Sequence, residues 1–240
     1  MYNSSFVKDL QEQASEFLKN NYLLVNGIEI YPKEIEVYYY EQGRFEDYTV
    51  HRNKLQQNRK YCFYVHRYGK DVESPYKSSP NNYRGGCDFV LSDKDGVFYS
   101  LLIRSIVING ELVVGPRKSL NAIIEKTGLS YEELEKAEVL VIPLVTTCNV
   151  LSTSRIRLGI SSNNPDGDNY RDAKLRFLLC DKYFKTVDKT KDVYEKRTEA
   201  IDNFLKEKMA KGEMSKAEAE EYSKDWLGYE SNWLKELMIS

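Results

Sequence analysis

The chain has 240 residues, 41% apolar and 12% aromatic, with 35 basic against 37 acidic side chains. That length supports one large domain or two small ones, and no apolar run approaches the roughly 20 residues of a membrane helix, which excludes transmembrane and mostly disordered readings. A net charge of −2 withholds the broad basic field of a nucleic-acid binder. Four widely spaced cysteines and two histidines, His51 and His66, match no disulfide scaffold and no zinc-ligand spacing, so neither a metal nor a cofactor is expected.

In chain order, Phe6, Leu10, Phe17 and Leu18 recur at helical spacing, interrupted by Lys8, Asp9, Glu12 and Glu16. The segment is therefore an amphipathic helix and not a signal peptide, and a cytoplasmic location is expected. Two strands follow, Ile28–Tyr31 and Glu34–Tyr40, separated by a break at Pro32. Further strands are expected at 61–66, 87–92, 97–108, 139–145, 155–161 and 174–180. Between Gly69 and Cys87 lies a loop of Ser, Pro, Asn and Gly that carries Tyr76, Lys77, Tyr83 and Arg84, long enough to be functional or disordered. A helix is expected at 119–127, and Ser130-Tyr131-Glu132-Glu133 reads as a capping box that opens another at 131–136.

From residue 186 onward the chain carries 10 Lys/Arg against 13 Asp/Glu, while residues 1–185 carry 25 against 24. Ile201, Phe204, Leu205 and Met209 trace one helix face, Gly212 interrupts, and the Ser215–Glu218 capping box starts a second helix along Tyr222, Trp226, Trp233 and Leu237. The expected organisation is an α+β domain over 1–185, its sheet curved, mainly antiparallel and flanked by helices, followed by a charged helical hairpin over 186–240. The aromatic stripe of residues 188–238 is expected to pack on the body or a second subunit, a dedicated protein partner being the alternative. No repeat and no glycine-rich phosphate motif occurs.

The residues that could carry chemistry begin with Glu34 and Glu36, which alternate with Ile35 and Val37, so both carboxylates and Tyr38 share one strand face. With His51 after the following turn, they could form an aromatic-walled pocket with a base in its floor. The competing reading is a solvated E-x-E on an edge strand. Arg104, inside an apolar strand, suits either a catalytic role or a core ion pair with Glu34 or Glu36.

The order of these segments resembles the alkyladenine (methylpurine) DNA glycosylases. Phe17-Leu18 ahead of Glu34-Ile35-Glu36-Val37-Tyr38 is similar to that family's helix and its E-x-E-A-Y strand, and Asp47 to His51 is similar to its D-x-x-x-H. Tyr64-Val65-His66-Arg67-Tyr68-Gly69 partly matches Y-V-Y-x-x-Y-G, one residue short. Leu101-Leu102-Ile103-Arg104-Ser105-Ile106 resembles V-L-I-R-A-L, and Gly115-Pro116-Arg117-Lys118 the G-P-x-K helix entrance. Arg157-Leu158-Gly159-Ile160 and Leu175-Arg176-Phe177-Leu178 resemble R-I-G-I and L-R-F-Y. The shared order spans residues 14 to 180.

The resemblance implies a single glycosylase-like domain that hydrolyses the N-glycosidic bond of an alkylated or deaminated purine flipped from DNA, without metal or cofactor. Glu36 would be the base that activates water, with Arg104 holding both and a backbone carbonyl near Ile160 adding a ligand. Tyr38 and His51 would stack on the base, His66, Asp88 and Leu102 would line the pocket, and Tyr68 would fill the vacated stack. Val37 replaces the family's Ala, and Asp88 stands where the family keeps an Asn.

DNA binding should be weak and salt-sensitive, resting on a local basic patch: Arg52, Lys54, Arg59, Lys60, Arg67 and Lys70, with Arg117 and Lys118 at a helix start suited to phosphate. Two alternatives stay open. One is the same fold without activity, a scaffold acting through the C-terminal helices; the other is hydrolysis of free nucleosides.

Overall fold

The computed structural model describes residues 3–67, 83–153, 155, 169–170, 173–181, 191–227, 231 and 233–234. Helix α1 (Ser4–Asn20) begins where the Asn3 side chain accepts the Ser5 and Phe6 N–H groups, both at 3.1 Å, which satisfies two of the donors a helix start leaves open. It buries Phe6, Val7, Leu10, Ala14, Phe17 and Leu18. The strands are β1 (Asn21–Val25), β2 (Ile28–Glu41), β3 (Phe45–Glu46), β4 (Phe63–Arg67), β5 (Tyr83–Val90), β6 (Val97–Ile108) and β7 (Glu111–Val114). Then come α2 (Pro116–Thr127), α3 (Tyr131–Lys136), β8 (Val139–Pro143), β9 (Asn149–Thr153), β10 (Arg176–Cys180), α4 (Lys191–Ala210) and α5 (Lys216–Leu227).

The strands form one open ten-stranded sheet in the order β4-β5-β6-β2-β1-β8, with β10 and β3 on β2, β9 on β10 and β7 on β6. Every pair is antiparallel, so the molecule is α+β, as the strand-rich sequence implies. β2 is the hub. One of its edges pairs with β6 along most of its length, and the other is shared by β1 at Ile28–Ile30 and β10 at Glu34–Glu36.

This placement corrects the expected break at Pro32. Pro32 stands opposite Ile106 of β6 and, on the other edge, between the residues that pair with β1 and those that pair with β10. The register shifts around Glu34 absorb the distortion, so one 14-residue strand runs through. It also corrects the edge-strand reading of E-x-E: β2 is internal, and Glu34 and Glu36 are 2% and 1% exposed.

Other boundaries move for local reasons. α2 starts at Pro116, because Gly115 supplies the unusual backbone (φ 104°) that precedes it and proline suits a first helical position. β8 stops at Pro143. β5 begins at Tyr83, four residues before the expected start. β1, β3, β7 and β9 are additional to the expected strands, and of the expected strand 155–161 only Arg155 lies within the described residues.

Ile35, Val37 and Tyr39 face α1 in the main core. There Phe6 meets Tyr39 edge-on at 4.7 Å, and Phe17 stacks on Phe89 at 5.5 Å. Each such buried side chain contributes about 1.5–3 kcal/mol by leaving water. A second cluster joins the hairpin to the sheet: Ile201 and Leu205 of α4, Ala219 of α5 and Leu234 pack on Leu151, Leu178 and Cys180. The stripe of Phe204, Met209, Tyr222 and Trp233 leans on this cluster. The side chain of Trp226, and Leu237, lie outside the described residues.

Candidate active site

Cross-strand partners in an antiparallel sheet share a face. Following the register from β9 to β4, one row crosses six strands: Thr153, Arg176, Glu36, Leu102, Asp88, Tyr64. All six are buried, and Leu102 is the one apolar member. In the next row, Ser152 of β9 is followed by Phe177, Ile35 and Ile103, which are apolar and belong to the main core. Burying five polar side chains in line is costly unless each finds a partner, and the partners sort into two groups on either side of Leu102.

On the β2 side, Arg176 donates to Glu34 through Nε at 2.7 Å and also through Nη2, while Arg104 Nε reaches the same oxygen at 3.2 Å. The Ser105 hydroxyl donates to the other Glu34 oxygen at 2.8 Å. Arg104 Nη1 stands 3.3 Å from Glu36 Oε2, to which the Tyr38 hydroxyl donates at 3.2 Å. One guanidinium thus bridges both carboxylates. Burial alone would lower Arg104, but Glu36 and Glu34 outweigh it and raise it above its ordinary value. Burial, then the charges of Glu36 and Asp88, push the Tyr38 phenol well up, so it is a neutral donor.

Arg155, fully buried, supports this group from beneath. Its Nη1 donates to the Val37 carbonyl at 3.2 Å and to Asp47 at 2.6 Å, its Nη2 donates to the Tyr170 carbonyl, and its guanidinium lies 5.1 Å from the centre of the Tyr38 ring. The sequence reading missed Arg155 and Arg176 as site residues and gave Asp47 no role beyond its motif. The usable signal was a cation placed where a strand's inward alternation demands an apolar residue, as Arg176 is within Leu175–Cys180.

Beyond Leu102, Asp88 accepts Gln56 Nε2 at 2.9 Å and the Ser100 hydroxyl at 2.8 Å on one oxygen, and His66 Nε2 at 2.5 Å on the other. Burial would raise this carboxyl, yet His66, His51 and Ser100 together hold it below the ordinary range. His51 Nδ1 sits 3.1 Å from the Tyr64 hydroxyl, and the His51 and His66 rings are 4.9 Å apart. Glu36, Tyr38 and Arg104 are therefore in direct contact, while His51 belongs to the second group.

The anticipated phosphate contacts divide. Arg52, at φ 53°, stacks over Tyr40 at 4.8 Å and Tyr48 at 5.4 Å. Lys60 lies over the Tyr61 ring at 5.0 Å, and Arg117 and Lys118 are exposed at the start of α2. Gly85 makes room for Arg117, because a Cβ there would come within 2.8 Å of its Cγ. Arg59 and Arg67 are committed elsewhere: Arg59 donates to the Glu135 carbonyl at 2.5 Å, and Arg67 donates to its carboxylate at 2.7 and 2.8 Å. That carboxylate also accepts the Val65 N–H at 2.6 Å, which ties α3 to the edge strand β4. Tyr68, Lys70, Lys77, Gly159 and Ile160 lie outside the described residues, as does the side chain of Arg84.

Among the described residues no three His, Cys, Asp or Glu side chains gather as a metal site, and no helix is long and apolar enough to cross a membrane. Comparison with protein-family models, with curated proteins and with solved structures gives no match.

Proposed function

We propose that the chain is a monofunctional DNA N-glycosylase that hydrolyses the N-glycosidic bond of a modified purine flipped out of duplex DNA. The observation that carries this reading is Glu36: a carboxylate buried at the centre of a polar row, fixed by Arg104 and by the Tyr38 hydroxyl, beside the apolar Leu102. A carboxylate held this way accepts a proton from water as the water oxygen attacks the sugar C1′ and the base departs with the bonding electrons. Arg104 keeps the carboxylate oriented and offsets the cost of burying it.

A purine lying along the row would rest on Leu102, with Tyr38 and His51 as stacking partners; such contacts are worth about 1–3 kcal/mol per base. Arg52, Lys60, Arg117 and Lys118 would meet the backbone phosphates, a sparse set that makes binding weak and steep in salt. The resemblance in segment order supports the same chemistry. The scaffold reading has less behind it, because the hairpin's buried apolar side chains already pack on Leu151, Leu178 and Cys180. Base release from a lesion-bearing duplex, abolished by Glu36→Gln, tests the proposal.

A further inference from the structure

The polar row is bordered along β2 by a strip of a different kind. Glu36, Tyr38 and Tyr40 share one face of the strand, and the register sets Tyr40 beside Phe98 of β6. On the other edge of β2, the chain that leaves β3 brings up Tyr48. The Phe98 and Tyr48 rings lie 6.1 and 5.6 Å from the Tyr40 ring, tilted against it by 65° and 69°, so they flank it from both sides. None of the three belongs to the main core: Tyr40 and Phe98 are half-buried, and Tyr48 is 38% exposed.

One cation completes the strip. Arg52 holds a left-handed backbone at φ 53°, a conformation that costs a non-glycine residue energy and concentrates at functional sites. Its guanidinium lies 4.8 Å from the centre of the Tyr40 ring and 5.4 Å from that of Tyr48, and it makes no ion pair among the described residues. The residue before it, His51, reaches Tyr64 at the end of the polar row, so one loop serves both places. Glu46 accepts the Tyr48 hydroxyl at 2.8 Å, which fixes the ring and sets a negative charge behind it. That charge disfavours a phosphate at Tyr48 and leaves the uncharged face of a base unopposed.

We infer that Tyr40, Tyr48, Phe98 and Arg52 form a stacking surface for an unpaired nucleotide next to the flipped purine, so that the preferred substrate carries its lesion beside a single-stranded stretch of DNA. The inference deepens the glycosylase reading and rests on it for where the purine lies. Tyr38 and Tyr40 are two strand residues apart, about 7 Å, which is comparable to one nucleotide step of an extended strand. Aromatic rings with an unpaired arginine suit single strands, because the π-faces they bind are covered by neighbouring bases in a duplex. Arg59 and Arg67 are held by Glu135, which leaves phosphate contact poorly supplied, and stacking adds affinity that needs no further cation.

The test measures binding and base release separately. Fluorescence anisotropy compares a lesion-free oligothymidylate with a lesion-free duplex of equal length. Native protein should bind the single strand about 10-fold or more tighter. Tyr48→Ala, at an exposed position, should weaken that binding about 5-fold or more, and the double variant Tyr48→Ala, Phe98→Ala should bring it to the duplex level. Duplex binding should stay unchanged in both, with both folded by circular dichroism, whereas Arg52→Gln should weaken both complexes. In single-turnover assays native protein should release hypoxanthine faster when the nucleotides beside it are unpaired than from a fully paired duplex, a difference that the double variant loses.

Equal binding of the two probes by native protein, or single-strand binding unchanged in Tyr48→Ala, overturns the inference; base release from the paired duplex then leaves the glycosylase reading standing. A native dimer that Tyr48→Ala converts to monomers assigns the strip to a second copy of the chain and also overturns it. Single-strand binding as expected, with no base released from any substrate, overturns the glycosylase reading and the place given to the purine, while the stacking surface stands.

Discussion

The Glu34–Arg176 contact offers a quantitative test of how the polar row is held. Arg176 is 0% and Glu34 2% exposed, and removing one partner of such a pair costs about 3–5 kcal/mol, because the remaining charge stays buried. Arg176→Met should fall near the lower bound, about 3 kcal/mol, for two reasons. Glu34 retains Arg104 at 3.2 Å and Ser105 at 2.8 Å, and Arg176 Nη1 is already buried without a partner, a cost the variant removes. Glu34→Leu leaves Arg176 buried and uncompensated and should cost about 4 kcal/mol. The double variant puts apolar groups of similar volume in both places and should return to within about 1 kcal/mol of native, a coupling of several kcal/mol. Urea denaturation followed by far-UV circular dichroism measures the cycle, and the single Arg176 variant should melt about 6–12 °C lower for a chain of this size. Costs that simply add in the double variant, or an Arg176→Met cost under about 1 kcal/mol, would refute the reasoning.

Two further predictions concern the supports of the site. Burial pushes the Glu135 carboxyl up to about 7, against the opposing pull of the Val65 N–H and Arg67, so folding favours its neutral form. That contribution is complete below the unfolded carboxylate range and is lost as pH climbs through about 7. Between pH 5 and 8 it should remove about 2.5 kcal/mol, seen as a falling urea midpoint that Glu135→Gln flattens; an equal slope in both proteins contradicts it. Gly86→Ala places a Cβ 3.4 Å from Pro116 and 3.5 Å from His66 Nδ1 on a backbone at φ 138°, where L side chains are strained. It should cost about 1–3 kcal/mol and slow base release, and a variant as stable and as fast as native would count against this account of Gly86.

Local signals in the chain located what local forces decide. The Ser130 capping box opens α3 as expected, with Glu133 N–H at 3.2 Å from the Ser130 hydroxyl and Ser130 N–H at 2.8 Å from the Glu133 carboxylate. The long, mostly apolar stretch of β6, interrupted only by Ser100, Arg104 and Ser105, reads as a strand with the same ends, 97 and 108, that the structure gives it. Alternation in Glu34–Tyr38 put the carboxylates and the phenol on one face, but whether that face meets water depends on β2 being internal. That depends in turn on β10, about 140 residues away in sequence. Arg155, Arg176 and Glu135 escaped notice for the same reason: each is an ordinary charge until a distant partner buries it. Arg59 shows the converse, a cation that reads as a phosphate ligand by sequence and is spent on the Glu135 carbonyl.

The most direct measurement is single-turnover base release at low salt from a duplex carrying one hypoxanthine, ethenoadenine or alkylated purine, comparing the native chain with Glu36→Gln. The variant keeps a side chain of the same shape beside Arg104 and Tyr38 but cannot take a proton from water. The account predicts release by the native chain and a loss of at least about 100-fold in the variant, with both proteins folded by circular dichroism. A folded native chain that releases no base, or a variant as fast as native, would contradict it.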